Sequence, residues 1–311
     1  MTLYYTLALS FGMILAHITL RSHLARPVKY DRFEKLAEIM YAIGIFVCIE
    51  LLWNYLIKFN VIISTWDMSV IQQKNNYSTF LLFCLPYPLY FARKKRLHIL
   101  SELLMLLCIF MSGSRGGMVS AIVLVPFLLA YLSLAPGEKT RRLGRFAAVG
   151  AVAVLGIAAV CVIVFILLLE KTGVITHDEP RYLMIRRTID AFKQNPIFGT
   201  GLGNTSNTDI YLPKKGAFYW YHSLPLQLMG SLGLVGIAAY SYQALGRMLQ
   251  ISRRLTPATA ALGLSYLGIL IMSCFNPGEF VPLPYELMVV TTFVMVELSG
   301  GEKSVYIKGK V

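Results

Sequence analysis

The chain has 311 residues, of which 56% are hydrophobic and only 14% charged, with a mean hydropathy of +0.62. That leaves too little polar surface to clothe a water-soluble globule of this length, so a helical membrane protein is expected. The formal charge of +13, from 29 basic and 16 acidic residues, falls mostly in short loops beside apolar runs. This is the pattern of cytoplasmic loops and excludes a nucleic-acid partner.

The apolar run 2–20 leads into a basic loop carrying Arg21, Arg26, Lys29, Arg32 and Lys35. No basic region precedes the run and no small-residue cleavage site follows it, so a cleaved signal peptide is not expected. Short basic loops stay in the cytoplasm, which puts the N-terminus outside. Further spans are expected at 36–59, 77–92 and 97–111. Between them lie a nearly uncharged outer loop at 60–76, the cytoplasmic mark Arg93, Lys94, Lys95 and Arg96, and a tight outer turn at 112–117.

A fifth span from Met118 runs inward to a basic loop with Lys139, Arg141, Arg142 and Arg145, and 146–169 returns outward. The long segment 170–222 follows, then spans at 223–249, 258–275 and 285–298, with a short outer loop at 276–284 and a cytoplasmic C-terminal tail. That makes about nine spans in one integral membrane domain over 1–311, all-α because lipid cannot satisfy a bare backbone. The five cysteines, Cys48, Cys84, Cys108, Cys161 and Cys274, each lie in an apolar run without a CxxC pair. They read as packing residues.

Chemistry is expected in the extracytoplasmic segment 170–222, which between Lys171 and Tyr221 carries seven Lys and Arg against four Asp and Glu. A short amphipathic helix is predicted over 181–193, with Leu183, Ile185, Ile189 and Phe192 on its apolar side and Pro196 ending it. Such a helix lies in the membrane interface. Arg186 and Arg187 read as a lipid-phosphate-facing surface, and Arg181 at the helix start as the better ligand candidate. Arg115 stands in a glycine-rich turn where the next helix begins, and a guanidinium beside free helix N–H groups suits an anion, above all a diphosphate. His222 opens an apolar helix after the aromatic belt Phe218, Tyr219, Trp220 and Tyr221. A helix start disfavours the imidazolium, so the ring stays neutral and able to take a proton.

Other constellations carry less. Gly199, Gly201 and Gly203 superficially resemble a dinucleotide loop, but Asn204 takes the last glycine position and no strand precedes them. His177, Asp178 and Glu179 are metal-ligand types without a shared face. Glu50 reads as the one acid deep in a span, either functional or bonded to Trp53 or a neighbouring helix.

Three pieces then fall in order. Ser114-Arg115-Gly116 comes first; Arg181, Phe192 and the run Asn195-Pro196-Ile197-Phe198-Gly199-Thr200-Gly201-Leu202-Gly203-Asn204 come second; His222-Ser223 with Leu226 and Gly233 comes third. Over residues 77–236 the chain resembles the O-antigen ligase and polymerase superfamily of bacterial envelopes. It departs in Ile185, where tryptophan is common, in Ser223, where asparagine is commoner, and in having fewer spans, as a short or truncated member would. The resemblance implies a GT-C-type membrane glycosyltransferase of the bacterial inner membrane. It would transfer an undecaprenyl-diphosphate-linked glycan to a lipid or glycan acceptor at the outer face, without metal or other cofactor. It implies that Arg115 and Arg181 grip the diphosphate and His222 activates the acceptor hydroxyl, supported by Ser114, Gly116, Gly199, Gly201, Gly203, Asn204 and Ser223. Ligase and polymerase share a donor and differ in acceptor. A transporter or flippase of lipid-linked glycans, or a non-catalytic assembly partner, are the other readings. Transporters place ionisable groups at mid-membrane and often show inverted repeats, of which the sequence offers only Glu50 and no repeat.

Overall fold

A computed structural model describes residues 2–26, 31–58, 74–133, 180–201, 221, 223–275 and 283–299, and every regular element among them is a helix. In chain order these are α1 (Thr2–Leu24), α2 (Arg32–Lys58), α3 (Lys74–Cys84), α4 (Pro86–Ala92), α5 (Ile99–Met111), α6 (Arg115–Ser133) and α7 (Pro180–Gln194). A short α8 (Leu224–Gln227) runs through a π turn (Leu228–Leu232) into α9 (Gly233–Arg253), followed by α10 (Pro257–Ser273) and α11 (Leu283–Ser299). Among the described residues three stretches are long and apolar enough to cross a membrane, Arg32–Tyr55, Arg115–Leu132 and Leu224–Arg253. The protein is thus an all-α membrane protein, as the hydropathy pattern predicts. The expected span 146–169 and the basic loop before it lie outside the described residues.

The chain divides into two compact units. Leu15–Gly144, Gln250–Ile269 and Leu287–Val311 form a bundle unit, with Leu81, Leu82, Cys84, Met105, Cys108, Ile109 and Leu124 buried at its centre. Its outward faces are apolar too. Phe46, Ile49 and Trp53 on α2, Leu103 and Leu107 on α5, and Ile122 and Leu129 on α6 are exposed, while Ser78, Thr79, Ser112, Ser114 and Ser265 are buried. Hydroxyls inside and hydrocarbon outside is the arrangement lipid requires.

Pro86 and Pro88 separate α3 from α4, because neither has an N–H to return to the preceding turn. The Ser265 hydroxyl on α10 donates to the Phe83 carbonyl beside this break at 2.8 Å. Among the basic residues read as cytoplasmic, Arg254 donates to the carbonyls of Val296 and Glu297 at 2.9 and 2.7 Å. It thereby satisfies part of the open C-terminal turn of α11.

Glu50, read as the one acid deep in a span, is half-buried, whereas Glu102 in the first turn of α5 and Glu286 in the first turn of α11 are buried. Carboxylates are favoured in first turns, so in the sequence both pass for flanking groups of a span. Glu50 itself bonds a neighbouring helix, through the Tyr77 hydroxyl, which also accepts from Asn54 Nδ2 at 3.1 Å.

Met1–Ile14, Arg145–Leu249 and Leu270–Glu286 form the other, loop unit. Its described core is Met184, Ile185, Tyr221 and Leu226, with Ile189 packed against it. The helix α7 matches the predicted amphipathic helix and stops before Pro196, but its buried stripe is Met184, Ile185, Thr188 and Ala191. Leu183, Ile189 and Phe192 only flank that stripe. The small Ala191 lets the helix approach closely, and the Thr188 hydroxyl is satisfied locally by donating to the Met184 carbonyl at 2.7 Å.

Candidate active site

The sequence-predicted residues fall in both units, and each part is built differently. In the bundle unit, Ser112, Gly113 and Ser114 turn the chain from α5 into α6, with Gly113 at φ +68°. Ser114 is the N-cap. Its Oγ accepts from the Gly117 N–H at 3.1 Å and donates to Asn75 Oδ1 on α3 at 2.8 Å. Such a cap satisfies one of the open amides of the first turn and leaves those of Arg115 and Gly116 facing outward.

A second hydroxyl pair fixes the same corner, Ser78 Oγ to Ser112 Oγ at 2.8 Å. The Ser112 hydroxyl lies 2.7 Å from the Ile109 carbonyl and accepts from the Ser114 N–H at 3.2 Å. Gly117 is required by close approach, since a Cβ there would overlap the Cβ and Oγ of Ser78. With its cap and turn held, Arg115 stands exposed at the very start of α6. An exposed guanidinium on a rigid base has its five donors free for an incoming anion.

In the loop unit the working parts are main chain. The helix Leu224–Arg253 is broken at Gly233, which follows the π turn at φ +62°, ψ −156°. A break of this kind strands carbonyls on one side and N–H groups on the other. Residues 196–201 fill it from the side. Thr200 N–H and Oγ1 donate to the Gly230 carbonyl at 3.0 and 3.1 Å, and Gly201 N–H donates to the Ser231 carbonyl at 2.8 Å. In the other direction, Leu234 N–H and Val235 N–H donate to the carbonyls of Pro196 and Ile197 at 2.8 and 3.1 Å.

The splice leaves no room for side chains. A Cβ on Gly199, itself at φ +66°, would overlap the Ser231 carbonyl carbon, and one on Gly233 would stand 2.7 Å from Gly199 N and the Ile197 carbonyl. The glycine run after α7 and the distant glycine after Leu226 are therefore two halves of one joint. Gly203 and Asn204 lie outside the described residues.

The chain on either side of His222 is anchored to the same helix. Tyr221 is buried, with its N–H donating to Gln227 Oε1 at 3.0 Å, and Ser223 accepts at its carbonyl from the Gln227 N–H at 2.8 Å. His222 itself lies outside the described residues, as does the side chain of Arg181. Position 181 is in the first turn of α7, one turn before Met184 and Ile185, which pack with Tyr221.

Residues 100–241 match the family model described as O-antigen ligase. That stretch is similar to an O-antigen ligase domain. It supports the O-antigen ligase and polymerase superfamily that the three sequence pieces resemble, and it takes in all of them. No curated protein matches the chain. The match supports, at the coarse level, a glycosyltransferase-like ligase or polymerase function acting on lipid-linked glycan and acceptor.

Sequence reasoning missed the partners that hold these loops in shape. Asn75 and Ser78 read as the edge of an outer loop and a span, and Gln227 and Ser231 as interior positions of one continuous span. Only the polar side chains themselves, set in apolar runs, could have drawn attention. Among the described residues no group of three or more His, Cys, Asp and Glu gathers. His177, Asp178 and Glu179 lie outside those residues.

Proposed function

We propose that this O-antigen ligase-family chain transfers an undecaprenyl-diphosphate-linked glycan to an acceptor hydroxyl at the outer face of the bacterial inner membrane, without a metal. Residues 170–222 form the outer loop of a single membrane domain whose N-terminus is outside and whose C-terminus is cytoplasmic. Arg115 and Arg181 hold the diphosphate, and His222 is the base. The acceptor oxygen attacks the anomeric carbon as the bond from that carbon to the phosphate oxygen breaks. The hydroxyl proton passes to the imidazole, and the lipid diphosphate leaves with its charge held by the guanidinium groups.

The observation that carries this reading is the packing of α7 against the segment that bears the histidine. Position 181 stands one turn from Met184 and Ile185, whose contact partner Tyr221 adjoins His222. A phosphate-binding arginine helix and a base-bearing segment thus share one small core. The transporter reading draws on a different feature, since transporters use broken helices to coordinate ions. Here the carbonyls of Gly230 and Ser231 are taken by the chain's own loop, which favours the enzyme.

In an in vitro transfer assay with purified lipid-linked donor, His222→Ala lowers transfer by about 10²–10⁴-fold with donor binding retained, and EDTA leaves the wild-type rate unchanged. Near wild-type transfer by the alanine variant, or a need for added divalent metal, would sink the assignment and turn attention to Asp67, Asp178, Glu179 or Glu279.

A further inference from the structure

Gln227 sits five positions beyond His222 in an apolar run, yet it is 1% exposed and its side chain is fully engaged. Its Oε1 accepts from the N–H of Tyr221, which fixes the orientation of the amide because only the oxygen can accept. Its Nε2 donates to Ser231 Oγ at 2.8 Å, and Ser231 is fully buried. Its own backbone N–H donates to the carbonyl of Ser223 at 2.8 Å. One residue therefore clips the chain immediately before and immediately after His222.

The clip is tied further back. Ser231 belongs to the π turn, and its carbonyl accepts from Gly201 of the glycine loop. Main-chain and side-chain bonds run without a gap from Gly201 to Ser231, to Gln227, and to both neighbours of position 222. Burying a primary amide costs free energy unless its bonds are made, and an apolar residue would fill the same buried space without that cost. The polar choice is explained by what it holds.

We infer that Gln227 is a positioning residue for the base, holding Tyr221 and Ser223 on either side of His222 and coupling them through Ser231 to the glycine loop. The inference rests on the proposed role of His222. A base displaced by about 1 Å loses roughly 100-fold in rate, so a clip of this kind acts on kcat and not on donor affinity.

The test uses the full chain in detergent or nanodiscs, with transfer measured across donor concentrations. Gln227→Met keeps length and volume but has no acceptor, and is expected to lower kcat about 10- to 100-fold with donor KM within about twofold. Gln227→Glu retains an acceptor for the Tyr221 N–H and recovers most of that loss. Ser231→Ala, a smaller change, lowers kcat about 3- to 10-fold. In a His222→Ala background Gln227→Met has no further effect beyond about twofold, because a position without a base has nothing to misplace.

A full additional loss in that background means that Gln227 is merely structural and overturns the inference. So does wild-type kcat in both Gln227→Met and Ser231→Ala. If Gln227→Met does not accumulate, Ser231→Ala in the two backgrounds decides by the same criterion. If His222→Ala is itself active, the proposed function fails, which is a separate outcome.

Discussion

The turn at Ser112–Gly117 and the splice at Pro196–Gly201 both carry residues that the sequence singles out for a site, but they are held by different parts of the chain. The turn is held by side chains: Ser114 to Asn75, Ser78 to Ser112. The splice is held by main-chain bonds, with glycines clearing the space between two backbones. A side-chain joint can be repaired by changing its partner. A backbone joint offers no partner to change, so its sequence requirement is stricter.

The sharpest way to break that contrast is Gly199→Ala. The new Cβ meets the Ser231 backbone at a positive φ, so a loss of about 3–4 kcal/mol is expected, seen as a collapsed melting temperature in detergent. A near wild-type melt would mean that the splice yields easily. Next in size is Arg115→Lys, which keeps the charge on the side-chain-held turn but removes the bidentate fork. Transfer falls roughly 100-fold with stability unchanged, and equal turnover at equal protein level would remove Arg115 from the site.

The smallest effect sharpens the comparison most. Gly117→Ala overlaps a side chain, Ser78, not a backbone, and is expected to cost about 1–3 kcal/mol. Adding Ser78→Gly removes the overlapping atoms, so the double variant should be more stable than the sum of the singles by about 1 kcal/mol. Additive losses in a thermal-melt cycle would show that the turn does not behave as a side-chain joint.

The same contrast explains what could be read from sequence. Glycines and prolines that shape backbone leave a visible mark: the stop before Pro196, the turn at Gly113 and the run through Gly201 all stood out. Hydropathy located the described spans because lipid demands it of every residue in them. It could not show that Gly233 breaks the run 223–249, since glycine is common in membrane helices and a π turn has no hydropathic signature. Nor could it assign Asn75, Ser78 or Gln227, whose partners are distant in sequence or hidden by the helical period. The rotation of α7 was invisible for a related reason. Thr188 and Ala191 are buried because their small size admits a neighbour, and that neighbour is specified elsewhere.

The splice also sets an order on biogenesis. Residues 196–201 leave the ribosome about 30 residues ahead of the carbonyls and amides they bond. The helix from Leu224 to Arg253 must therefore enter the translocon with Leu234 and Val235 amides and the Gly230 and Ser231 carbonyls unmatched. Each such group in hydrocarbon costs several kcal/mol, so this helix remains poorly sealed until the earlier loop folds back onto it. Docking of that loop is the step that matches these groups, and a chain in which it fails presents quality-control proteases with an unfinished span.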